Sequence, residues 1–136
     1  MTQKPDALEA AIIGELDSSG FQDDFMVLHA RSDVPDLMKA MDVMIFPSHM
    51  EGLGNVAVEA QLAGIHCLMS EGVPEAAAIS NYADRMSLSQ SPEDWAKRAV
   101  VMCEDTAPIE YTDYEAWDMR KPVTKLLGYY REAVQG

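Results

Sequence analysis

From Ala40 to Asp84 the chain has no lysine and no arginine, while Asp42, Glu51, Glu59, Glu71, Glu75 and Asp84 all carry carboxylates. The formal net charge of the whole chain is −13 at pH 7. A surface of that sign excludes binding along a nucleic-acid backbone, which needs a basic face. It equally disfavours docking on anionic lipid. No run approaches the ~20 apolar residues that a membrane span requires. The opening residues Met1-Thr2-Gln3-Lys4-Pro5-Asp6 have no apolar signal-peptide core, so a cytoplasmic protein is expected. Cysteine is scarce: Cys67 and Cys103 lie on apolar segments without metal-ligand spacing, which favours reduced thiols over a disulfide or a zinc site. His29, His49 and His66 are scattered, and structural roles are favoured for them. There is no internal repeat, linker or low-complexity segment.

What is present is ordinary globular material: 136 residues, 48% hydrophobic and 24% charged. That length implies one domain over residues 1–136, able to bury roughly two-thirds of its unfolded surface. Pro5 to Leu16 reads as an opening helix with Leu8, Ile12 and Leu16 on one face, stopped by Ser18-Ser19-Gly20. Phe25 to His29 is a short apolar run suited to a strand. Asp33-Val34-Pro35-Asp36 starts a second helix with Val34, Leu37, Met38 and Met41 on one face. Val43-Met44-Ile45-Phe46 has no polar alternation, as expected of a strand covered on both sides of a parallel sheet.

Asn55 to Ala63 reads as a further helix closed by Gly64, Cys67-Leu68-Met69 as a third strand, and Arg85 to Leu88 as a weaker fourth. Ser91-Pro92-Glu93-Asp94 is a strong helix start, with a hydroxyl cap, proline in the first position and acids in the first turn. Trp95, Ala96, Ala99, Val100 and Cys103 are its expected buried face. Helices over about 113–134, with Val123, Leu126, Leu127, Tyr130, Ala133 and Val134 on an apolar stripe, are expected to close the chain. Strands alternating with helices imply an α/β fold: part of a Rossmann-like parallel sheet of about four strands, flanked by helices.

The residues with chemistry in them follow the Val43–Phe46 strand. In an open α/β sheet ligands bind beyond the carboxyl ends of the strands, and Glu51 falls there. Gly52 and Gly54 let the turn tighten and let a ligand approach the backbone. Asn55 is expected to cap the next helix, leaving the amides of Val56, Ala57 and Val58 at an anion-attracting N-terminus. Glu59, four residues after Asn55, projects from the same side, and a carboxylate there can accept two hydrogen bonds from a vicinal diol. For Glu51 the competing reading is a solvated loop acid, and for Glu59 half of a salt bridge.

Ala40-Met41-Asp42, Phe46-Pro47-Ser48, Glu51-Gly52-Leu53-Gly54, Glu59-Ala60 and Ala63-Gly64 together resemble the donor-binding, C-terminal half of family 4 (GT-B) retaining glycosyltransferases. The two glutamates have that family's spacing, and Val73-Pro74-Glu75 is similar to its proline-glutamate segment. The flanks Arg31–Leu37 and Leu88–Trp95 resemble members that assemble bacterial polysaccharide. The resemblance implies that Glu51 acts at the donor sugar as the catalytic-site carboxylate and that Glu59 binds the ribose diol. Gly52, Leu53, Gly54, Asn55 and Val56 would offer backbone to the sugar and pyrophosphate. It implies transfer from a nucleotide diphosphate sugar with retained anomeric configuration, with no metal and no cofactor beyond that donor.

Relative to the family pattern, the acceptor domain, the first strand and glycine-rich turn of the donor domain, and the cations that neutralise pyrophosphate are all missing. Arg31 and Arg85 flank the gap without matching the family's basic positions. Activity is therefore expected to need an acceptor-domain partner chain or a homo-oligomer, with attachment at the inner membrane arising only through a partner. The alternatives are a non-catalytic remnant that binds nucleotide sugar weakly or not at all, and an unrelated α/β domain sharing the motif by chance.

Overall fold

The computed structural model describes residues 7–21, 23–112, 117 and 123–124. The chain divides into two compact units, Met1–Ser32 and Asp33–Gly136. In the first unit, α1 (Ala7–Ser18) closes where the Ser18 and Ser19 hydroxyls donate back to the carbonyls of Glu15 and Leu16. Its Ile12 is 49% exposed, and the His29 ring lies 3.6 Å from the Glu9 carboxylate. The strand expected over Phe25–His29 does not form: those residues join no ladder, and Met26 is 78% exposed. An apolar run becomes a strand only with a neighbour to take its backbone groups, and none of the described residues provides one.

The second unit is built on a parallel sheet of three strands in sequence order. These are β1 (Val43–Phe46), β2 (His66–Ser70) and β3 (Ala83–Met86). Val43 pairs with His66 and Phe46 with Met69; Cys67 pairs with Ala83 and Ser70 with Met86. Two covered faces explain why β2 is buried at all five positions and reads as an apolar run. Cys67 and Met69 point to the face carrying α3 (Asn55–Leu62), where Ala57, Val58 and Ala60 complete the core with Met38, Ile65, Val73 and Ile79. Leu68 points to the opposite face and packs on Trp95, Ala99 and Met102 of α4 (Pro92–Glu104). Met38 ends the short helix α2 (Val34–Met38).

The start of α4 forms as its sequence dictates. Ser91 accepts the Asp94 amide at 3.2 Å and donates to the Asp94 carboxylate at 2.8 Å, with Pro92 at the first position. Its buried face differs from expectation: Trp95, Ala99 and Met102 are buried, whereas Val100 is 58% exposed and Cys103 is also exposed. The sheet meets only the narrow i, i+4, i+7 stripe of this helix. After α4 the chain returns along the entry to β3, with Asn81 and Glu110 exchanging hydrogen bonds and Thr112 donating to the Ile79 carbonyl at 2.8 Å. The C-terminal helices expected over 113–134 lie outside the described residues, apart from Trp117, Val123 and Thr124. None of the described helices is long and apolar enough to cross a membrane.

Candidate functional site

The loops leaving β1 and β2 pack against each other at the carboxyl ends of the strands. The Glu51 amide donates to the Gly72 carbonyl at 3.0 Å, and the Ser70 hydroxyl donates to the Ser48 carbonyl. Gly72 is required by the closeness of that contact: a Cβ there would meet the His49 carbonyl oxygen at 2.3 Å and the Ser48 oxygen at 2.6 Å. The Glu51 side chain is half-buried and accepts the Ser48 hydroxyl at 2.9 Å. It is therefore a held carboxylate with lone pairs to spare, which sets it apart from a freely solvated loop acid.

The turn enters α3 through Gly54, and here the sequence expectation is corrected. Gly54, with φ 71°, occupies the cap position; Asn55 is the first helical residue and no side chain caps the helix. A Cβ at Gly54 would meet Val73 Cγ1 at 2.8 Å and Ala77 Cβ at 3.1 Å, so both the left-handed backbone and the space select glycine. The Gly54 carbonyl accepts the amides of Ala57 and Val58 at 3.0 and 3.2 Å. Of the amides expected at the helix start, Val56 remains, joined by Asn55, and both residues are exposed. Gly52 and Leu53 are also exposed, Leu53 by 63%.

Glu59 lies one turn further along α3 and is exposed. It lines a groove of about 270 Å³ with Pro35, Met38, Lys39, Leu62 and Ala63, on the side of α3 that faces α2. Glu51 and the glycines are not part of that groove's wall. Thus residues 51–56 form one continuous turn braced by the β2 loop, while Glu59 occupies an adjacent, mostly apolar groove whose one cation is Lys39. A second groove, about 330 Å³, opens on the α4 face between Ile45, Leu88, Pro92 and Trp95. No charged side chain lines it.

Two supports of the turn escape a motif-based reading. Arg85, on β3, donates from Nη2 to the carbonyls of Glu71 at 3.1 Å and Val73 at 2.7 Å. Gln61, wholly buried on α3, donates to the carbonyls of Ala57 and Ala77 and accepts from the Ile79 amide and the Ser80 hydroxyl. It ties the segment carrying Pro74 and Glu75 to the helix carrying Glu59. A polar residue amid the small apolar side chains of α3 was the available signal for Gln61. For Arg85 the signal was a cation flanking a long cation-free stretch. Among the described residues no three His, Cys, Asp or Glu side chains converge as a metal site.

Residues 2–105 match the family described as glycosyl transferases group 1. The chain belongs to that family. Among the relatives of this chain is EpsF of Bacillus subtilis (strain 168), named as a glycosyltransferase. It is 32% identical over 94 residues, covering 65% of this chain and 24% of EpsF. A second is the UDP-Gal:alpha-D-GlcNAc-diphosphoundecaprenol alpha-1,3-galactosyltransferase of Escherichia coli. It is 40% identical over 45 residues, covering 33% of this chain and 12% of that enzyme. The chain thus spans about a quarter or less of the curated relatives that it matches. No solved structure matches it significantly.

Proposed function

We propose that this chain is the donor-binding part of a retaining glycosyltransferase of the GT-B type, taking a sugar from a nucleotide diphosphate sugar for polysaccharide assembly in the cytoplasm. The observation that carries the reading is the turn from Glu51 to Val56, held by the β2 loop at the carboxyl ends of the strands and entering α3 through left-handed Gly54. In this reading Glu51 accepts hydroxyls of the donor sugar. The backbone amides of Asn55 and Val56, both exposed residues, face the sugar and pyrophosphate at the positive end of α3. Glu59 accepts the ribose diol, with the apolar groove beside it for the nucleoside. No metal or cofactor takes part; the acceptor is held by a partner chain or a second copy, and any contact with the inner membrane is made through that partner.

The charge that develops on the leaving nucleotide needs preorganised donors to stabilise it. Residues 40–84 offer backbone amides and neutral polar side chains but no lysine or arginine, so cations from outside that stretch complete the site. This requirement also favours the second reading, a non-catalytic remnant of a glycosyltransferase. Carboxylates facing pyrophosphate without cations repel it by kilocalories at ~4–6 Å.

A ligand-observed NMR titration of the wild type and Glu59→Ala with UDP-glucose, UDP-galactose, GDP-mannose and ADP-glucose separates a surviving donor pocket from a remnant that has lost it. Donor binding predicts saturation by at least one sugar nucleotide and its loss in the variant, with little change in stability. Silence across the panel favours the remnant. Unchanged binding by folded Glu59→Ala contradicts the ribose role.

A further inference from the structure

We propose that Arg85 is a positioning residue for the Glu51 turn, acting through the loop that follows β2. The inference rests on the reading that the Glu51 turn meets the donor. In the β2–β3 register Arg85 lies opposite Met69, two residues before the loop begins at Glu71. From there its guanidinium bridges two carbonyls of one tight turn, those of Glu71 and Val73. Between them lies Gly72, whose own carbonyl takes the Glu51 amide. The Val73 side chain lies against the space where a Gly54 Cβ would stand. One cation therefore fixes the short segment that braces both ends of the functional turn.

The chemistry of the arrangement points away from a general packing role. Arg85 makes no ion pair among the described residues, although the neighbouring Asp84 side chain pairs with Arg98 on the other face of the sheet. Its Nε is buried without a hydrogen-bond partner. An apolar residue at this position would avoid that orphaned donor, but it would leave two carbonyls of the loop without their charge-assisted bonds. A planar guanidinium reaches both carbonyls from one nitrogen while its stem stays on the sheet.

The test is site-resolved amide hydrogen exchange on the full chain, comparing wild type, Arg85→Met and Arg85→Lys. Met keeps the stem length and removes the donors; Lys keeps the charge and one donor head. The reference is the Ile79 amide, bonded to Gln61 Oε1 in the core. In Arg85→Met the Glu51 amide is expected to exchange about tenfold faster relative to Ile79, as the loss of charge-assisted hydrogen bonds implies. Arg85→Lys should fall between Met and wild type. Unchanged protection at Glu51, or parallel loss at Glu51 and Ile79, overturns the proposal.

Titration of the same proteins with the four sugar nucleotides tests the underlying reading separately. Weaker binding in Met with partial rescue in Lys supports both. A wild type that binds none of them contradicts the donor reading, and the exchange result still decides the role of Arg85.

Discussion

The backbone amide of Glu51 is bonded at 3.0 Å to the carbonyl of Gly72, twenty-one residues later in the chain and on the neighbouring strand's loop. This contact makes the geometry of the candidate site a property of two loops. The β1 loop carries the groups proposed to meet the donor, and the β2 loop sets where they stand. Substitutions in the second loop should therefore disturb binding without touching a ligand.

Gly72→Ala tests that dependence. The added methyl would stand 2.3 Å from the His49 carbonyl oxygen, and backbone cannot yield as a side-chain end can. The expected cost is about 1–3 kcal/mol, as for overpacking elsewhere. Urea unfolding reads that cost, and a chemical-shift change at the Glu51 amide reads the displacement.

Gly54→Ala combines two penalties. The residue has φ 71°, and its Cβ would meet Val73 and Ala77. Left-handed backbone and overpacking together predict a loss of roughly 3 kcal/mol in unfolding free energy. A variant as stable as the wild type would contradict this account of how the turn enters α3.

Gln61→Leu preserves volume and removes four hydrogen bonds in the core. The Ile79 amide, the Ser80 hydroxyl and the Ala77 carbonyl lose their Gln61 partner. Leaving buried groups unsatisfied is expected to cost about 2–4 kcal/mol, measurable by denaturant unfolding.

The two thiols should behave oppositely. Burial pushes the Cys67 thiol up to about 12, whereas Cys103 is exposed. A thiol reagent at mildly alkaline pH should label Cys103 in the native chain and reach Cys67 only after unfolding. The folded state holds the Cys67 proton where the unfolded thiol, with its ordinary value of 9.0, has lost it. This group therefore lowers stability as pH rises from about 9 toward 12, because the unfolded state binds fewer protons there.

The parts legible in the sequence were those with a local cause. The uncharged runs Val43–Phe46 and Cys67–Met69 lie in strands β1 and β2, and Ser91-Pro92-Glu93-Asp94 starts α4 where its capping chemistry requires. The turn from Glu51 to Val56 was readable from its glycines. The parts that were not legible depend on partners distant in sequence. Phe25–His29 is apolar enough for a strand but has no pairing neighbour among the described residues. Asn55 is a good capping residue, but the Val73 and Ala77 side chains impose glycine one position earlier. The grip of Arg85 on Glu71 and Val73 follows from sheet register, which no single-strand pattern encodes.

The most direct test of the central claim is a map of amide chemical-shift changes on adding UDP-glucose, UDP-galactose, GDP-mannose or ADP-glucose in turn. A donor site at this turn predicts that at least one of them shifts the amides from Glu51 to Val56, Glu59 and Gly72, while Val43 and His66 at the opposite ends of the strands stay in place. Shifts confined to the amino ends or the α4 face, or none with any of the four, would contradict a donor site at this turn.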